Sequence, residues 1–430
     1  MSTERSARRF NTDGPEKNPP DVRTPGQRDR DRVLYSDYFR RLAGVTQVVE
    51  AREMGHFHNR LTHTLEVAQI ARRIAERLLG ENPGMPDLDA DVVETAALAH
   101  DLGHPPFGHV AESELDTLVS PSTADGFEGN AQSFRIVTKL ARRTPDHLGL
   151  DLTRATLRAQ SKYPWPRSTA GAQKRKYGTY AIDRVDFDWS REGLPRPDRR
   201  TIEAEIMDWA DDVAYALHDL QDFFRAGLVP LDRIASMDSG EYERFVERTF
   251  ARWAAEHKQF DTAYYENIAE ILRIELPLDP ESAAETQLQI HRFVAFRINS
   301  YVRALSVTDG QVEINPASRA EVDLLKALTW NYVIDQPALS AQQAGQKRIV
   351  RELFEYYHHA CAHDQLHMLP SWAQSYLLNS DLRSQHENDA ELHARLACDI
   401  VASLSEGQAT ALYTRIMGIE RGSIRDSINP

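Results

Sequence analysis

An all-α fold is predicted for this chain. Amphipathic stretches with apolar residues every three or four positions recur along most of it, strand-like pieces are few and scattered, and no internal repeat interrupts the pattern. With 430 residues, 41% of them hydrophobic, it can bury a substantial core without covalent staples. Cys361 and Cys398 are its only cysteines, which fits a reducing compartment and excludes a disulfide framework and a Cys-rich zinc site. The polar start MSTERSARRF and the lack of a long apolar run point to a cytoplasmic protein with no membrane partner. A net charge of −14 argues against a surface that grips nucleic acid throughout, but not against a local basic pocket for a small polyphosphate.

Residues 1–27, rich in charge, Pro and Gly, read as a disordered lead-in. A core is expected over 28–235, and a C-terminal helical region packed on it over 236–430. Within the core, 160–200 reads as a loop insertion that includes KYPWPRSTAGAQKRKYG. Further on, 287–305 and 399–416 each read as an amphipathic helix.

Six of the sixteen histidines, His56, His58, His63, His100, His104 and His109, crowd into positions 56–109. Asn59 is a good N-cap for a helix whose apolar stripe is Val67, Ala71, Ile74 and Leu78, and His63 lies on that stripe. A second helix places His100 on the face of Val93, Ala96 and Ala97. Asp101 follows, and Gly103, Pro105 and Pro106 stop the helix. Either histidine alone would pass for a buried core residue, but a buried carboxylate beside them needs a partner, and a divalent cation would satisfy all three.

The third element, 201–224, carries Ile202, Ile206, Ala210, Val213, Leu217 and Leu220 on one face and Asp208, Asp211, Tyr215, Asp219 and Asp222 on the other. Like charges aligned in this way call for something cationic or hydrogen-bonding against them. Two imidazoles and two carboxylates suit a catalytic Mn, Mg, Fe or Zn ion with open positions, and such an ion supports phosphoester hydrolysis. His104, His109 and Glu112 follow closely, and a His with a carboxylate three residues on can form an oriented acid/base pair.

At these residues the sequence resembles the deoxyguanosine triphosphate triphosphohydrolase-like HD proteins. The likeness runs in consistent order through RDRDRVLYSDYFRRLAGVTQVV, HNRLTHTLEVAQIARR, ALAHDLGHPPFGHVAE, GFEGNAQSFRI, LTRATLRAQSKYPW and IMDWADDVAYALHDL, and continues more weakly towards the C-terminus. It implies an HD-domain helical core with additional C-terminal helices, and release of intact triphosphate from deoxynucleoside triphosphates. It also implies metal ligands at His63, His100, Asp101 and Asp211; Asp211 is preferred to Asp212 because Tyr215 and Asp219 follow it by four and eight residues. By the same likeness Arg60 and His104 face phosphates, Gln47 the sugar edge, and Tyr215 and Asp219 the deoxyribose, while His109 and Glu112 are the acid/base pair. Deoxynucleotides are thus expected as substrates and candidate activators, and a homo-oligomer is expected by analogy. Some relatives carry a histidine where this chain has Gly129, and many read DYIAGMTD where it has DIVASLSE, so features of those segments are not transferred.

Two other readings remain open on sequence. A nuclease or phosphodiesterase would use the same donors, with QKRKYGTY binding single-stranded DNA through its basic and aromatic residues. A nucleotide sensor or scaffold would keep the pocket without turnover.

Overall fold

The structure is a computed structural model that describes residues 2–10, 21–47, 58–85, 87–170, 176–236, 239–275, 283–334 and 337–420; His56 lies outside them. Among the described residues the regular structure is helical apart from one antiparallel hairpin, Leu305–Thr308 with Gln311–Ile314, which turns through Asp309 and Gly310, both at positive φ.

Three helices form the frame of the site. Arg60–Glu81 starts at Asn59, whose side chain accepts from Thr62 N while Thr62 reaches back to the Asn59 amide. Its stripe of Val67, Ala71, Ile74 and Leu78 is fully buried against Ala90–Ala99 and Ile202–Arg225. Ala90–Ala99 is capped by Asp89, and its alanines let its neighbours approach closely. Ile202–Arg225 is capped by Thr201 and buries Ile206, Ala210, Val213, Leu217 and Leu220. Its acidic face is not solvated, since Asp219 and Asp222 are buried as well.

Two large cores pack most of the described residues. The larger runs from Val33 to Val333, taking in Phe245, Trp253, Tyr301 and Leu325 beside the three framing helices, so no break in packing marks position 235. The smaller joins Phe107, Leu115 and Phe127 to residues 350–409. Between the regions, Arg135 is fully buried, with Asp183 at 3.0 Å, Asp399 at 2.8 Å and the Tyr376 hydroxyl at 3.2 Å.

Four expectations are corrected. Residues 2–10 are not a loose lead-in: buried Arg5 bonds to Glu203, and Arg8 lies 2.6 Å from fully buried Asp29, because these arginines neutralise carboxylates that the core could not otherwise hold. The first long helix, Pro25–Leu34, begins a few residues before Arg28 at a Thr24 capping box. The 160–200 segment is more than an insertion, since it contains the helix Arg184–Arg191 and buries Tyr177 and Tyr180. Finally, 399–416 is two helices, Asp389–Ala402 and Glu406–Ile416, separated at Ser403–Ser405 where Ser405 caps the second.

Candidate active site and metal centre

The framing helices bring their chemistry to one point. His63 Nε2 lies 3.1 Å from Asp211 Oδ1, and His100 Nε2 lies 3.3 Å from Asp101 Oδ1 and 3.6 Å from Asp211 Oδ1. His63, His100 and Asp101 each offer a ligand atom within 4.8 Å of the others. The His100 ring is oriented by Nδ1, which donates to Ala97 O at 2.6 Å, so Nε2 is the nitrogen that faces the cluster and would bind an ion once it gives up its proton. Burial opposes charge on His100, but Asp101 and Asp211 outweigh it and raise its pKa to about 9. Burial likewise opposes the charges of Asp101 and Asp211, yet Arg60 and the histidines hold the first, and Lys162 with the histidines the second, well below the usual carboxylate range. Two carboxylates facing two imidazoles thus attract positive charge, and this donor set fits a divalent ion.

The turn after Ala99 is locked from behind. Ser133 Oγ accepts from Gly103 N at 2.8 Å and donates to His100 O at 2.9 Å. His104 Nδ1 lies 3.0 Å from Asp101 Oδ1, and its ring meets His109 edge-on at 5.4 Å. His109 begins the helix His109–Val119, with Nδ1 2.7 Å from Glu112 Oε2 and most of its side chain exposed. Burial resists ionisation of Glu112, but His109, Lys176 and His104 keep it ionised, and Gly129 N donates to its Oε1 at 3.0 Å.

Arg60 contacts Asp101 Oδ2 at 2.6 Å. Arg60 N donates to Val45 O at 3.0 Å, two residues before Gln47, whose Oε1 is buried without a hydrogen bond. Tyr215 and Asp219 follow Asp211 along one helix face. Burial, reinforced by Asp222, raises the Asp219 carboxyl well above its ordinary pKa, and its Oδ2 has no partner.

Sequence reasoning missed two cations. Lys162 Nζ lies 2.7 Å from Asp208 and 2.8 Å from Asp211; Lys176 Nζ lies 3.0 Å from both Glu112 and Glu128. Both come from the segment read as an insertion, and KYPW, inside the family-like LTRATLRAQSKYPW, was the available signal for Lys162. Tyr177 and Tyr180 of this loop are buried, so neither presents a face on which a base of single-stranded DNA could stack; Gln173, Lys174 and Arg175 lie outside the described residues.

Beyond Asp219, His58 Nδ1 lies 2.6 Å from Asp222 and Nε2 3.0 Å from Glu66, whose other oxygen is 2.7 Å from His218. Burial opposes the His58 charge, but the two carboxylates raise its pKa to about 10. A raised folded-state pKa contributes stability that is complete below about 6.5, the ordinary histidine value, and is lost as pH rises towards 10. Melting of the wild type is therefore expected to fall over that window more steeply than melting of His58→Gln; parallel curves would refute the assignment.

This fold and donor set define a class, and the comparisons agree with it. The HD domain family model matches residues 60–216 and the phosphohydrolase-associated domain matches 312–415, so the chain is an HD-type hydrolase of the divalent-metal-binding kind. A deoxyguanosinetriphosphate triphosphohydrolase-like protein of Streptomyces coelicolor is 35% identical over 94% of this chain and 95% of its own length. Proteins with the same description from Corynebacterium efficiens (33% identical, 93% and 92% covered) and Caulobacter vibrioides (31%, 93% and 91%) are similar throughout. The chain belongs to the deoxyguanosinetriphosphate triphosphohydrolase-like family. Among the described residues no helix is long and apolar enough to cross a membrane.

Proposed function

We propose that this protein hydrolyses deoxynucleoside triphosphates to deoxynucleoside and intact triphosphate. The observation that supports the reading is the joining, in one site, of the four donors, the basic side chains of Arg60, Lys162 and Lys176, and, two turns along the helix from Asp211, the buried Asp219 carboxyl with its raised pKa. Arg60, Lys162 and Lys176 supply positive charge for a polyphosphate, while His104, whose pKa burial and Arg60 lower to about 4, offers a neutral ring nitrogen. Tyr215, Asp219 and Gln47 offer hydrogen-bonding groups for a sugar, and the free Asp219 Oδ2 can accept from its 3′-hydroxyl.

His63, His100, Asp101 and Asp211 would hold a divalent ion, which when bound supplies Lewis acidity at a phosphoryl oxygen and acidifies water. Glu112 holds His109 by Nδ1, leaving Nε2 to take a proton from water as its oxygen attacks the α-phosphorus. The bond from phosphorus to the 5′-oxygen breaks, and the proton that His109 took from water is passed back to that oxygen as the deoxynucleoside leaves, restoring the neutral imidazole. These cations are held by carboxylates of the site, so a bound polyphosphate would share them with Asp101, Asp211 and Glu112.

The test is product analysis with each of the four deoxynucleotides, alone and in mixtures, with Mn, Mg, Fe or Zn. Release of tripolyphosphate is the expected result. Orthophosphate or pyrophosphate, cleavage of single-stranded DNA instead, or binding without turnover would each overturn the reading.

A further inference from the structure

Glu406 starts the helix Glu406–Ile416, where an acid facing solvent would suffice to complement the helix dipole. Instead its side chain turns inward and its residue is only 9% exposed. Oε1 accepts from Thr46 N at 2.8 Å and Phe107 N at 3.0 Å, and Oε2 accepts from the Thr46 hydroxyl at 2.7 Å. One carboxylate therefore ties together two segments distant in sequence, one holding Thr46 beside Gln47 and the other running from His104 to His109.

The same turn is joined a second time. Arg41 donates through Nη1 to Leu404 O at 3.1 Å and through Nη2 to Leu102 O and His104 O, both at 2.8 Å. Backbone strain lies at the bonded position: Phe107 has φ +67°, and Gly108 follows at +58°. An aromatic residue in the left-handed region is held there only when its surroundings over-determine it, and here the Glu406 bond and burial of the Phe107 ring in the smaller core do so.

We propose that Glu406 is a positioning residue that sets the His104–His109 loop and the Gln47 segment in register for reaction. The effect on turnover rests on the hydrolytic reading above; the effect on the two segments does not. Both acceptor roles of Oε1 need an oxygen at that place rather than a charge, so an amide of the same length should serve.

The experiment compares wild type, Glu406→Ala and Glu406→Gln by amide hydrogen exchange and by steady-state kinetics on deoxynucleotides with added metal. In Glu406→Ala, exchange at Thr46 and Phe107 is expected to quicken by about tenfold or more, with Ile202–Arg225 unchanged. On the kinetic side kcat should fall by about tenfold or more, since a small misplacement of reacting groups is costly, and KM should rise. Glu406→Gln should restore exchange and kcat to within about threefold of wild type. Thr46→Val, which removes only the hydroxyl bond, should raise KM with kcat nearly unchanged, and it carries the test together with Glu406→Gln if Glu406→Ala does not fold. Unchanged exchange at Thr46 and Phe107 in folded Glu406→Ala, or a Glu406→Gln as impaired as the alanine variant, would overturn the proposal. Should the wild type hydrolyse no deoxynucleotide, the substrate reading fails, and exchange alone decides the role of Glu406.

Discussion

Asp211→Ala is expected to abolish divalent-metal binding and to lower turnover by about a thousandfold or more, about 4 kcal/mol of transition-state stabilisation. Asp212→Ala should leave both nearly intact. The neighbours share a helix but face different partners: Asp211 meets His63, His100 and Lys162, whereas Asp212 pairs with Arg319 and Lys326 of the helix Pro316–Thr329, at 2.6 Å each. Losing those partly exposed pairs should cost about 1 kcal/mol of stability and little chemistry. Metal titration by calorimetry and initial rates on both variants decide the matter. Loss of binding in Asp212→Ala alone would reverse the assignment.

Gly103→Ala should be nearly as damaging by a different route. A Cβ at this position would collide with the carbonyl oxygen of Gly129, the amide nitrogen of Ser133 and the carbonyl carbon of Gln132, all backbone atoms that cannot rotate away. The turn behind His100 and Asp101 would have to shift, breaking the Ser133 bond to Gly103. A destabilisation of about 3 kcal/mol is expected, and about a hundredfold loss of kcat in whatever remains folded. Chemical denaturation and kinetics measure the two separately. A variant as stable and active as wild type would show that the close approach is dispensable.

How much of this was legible in the sequence depended on whether the signal was local. His63 and Asp211 sit on helices and His100 is the residue that ends one; the caps and apolar spacing of those helices can be read directly, so the faces the three occupy followed from the 3.6-residue period. That period also separates Asp211 from Asp212, since only the former lines up with Tyr215 and Asp219. Lys162, Lys176 and Glu406 act across long sequence distances, where no periodicity helps, and the first two lie in a stretch whose Pro, Gly and basic residues imitate an exposed loop. Arg5 and Arg8 were misread for the same reason: composition marks a charged segment as soluble, but cannot show that a carboxylate waits for it in the core. The break at Ser403–Ser405 could have been seen, because SEGQ is a capping box.

Arg135 gives the two matched segments a shared fate. Viewed as blocks of sequence, the HD domain and the phosphohydrolase-associated domain look like detachable cassettes. Yet this guanidinium, at zero exposure, belongs to the first block and draws on Asp399 of the second, with Asp183 on its other side. Cutting the chain between the blocks would leave unmatched ions in a dry interior, so recombination or truncation there meets an electrostatic barrier, and the pair must be inherited as one piece.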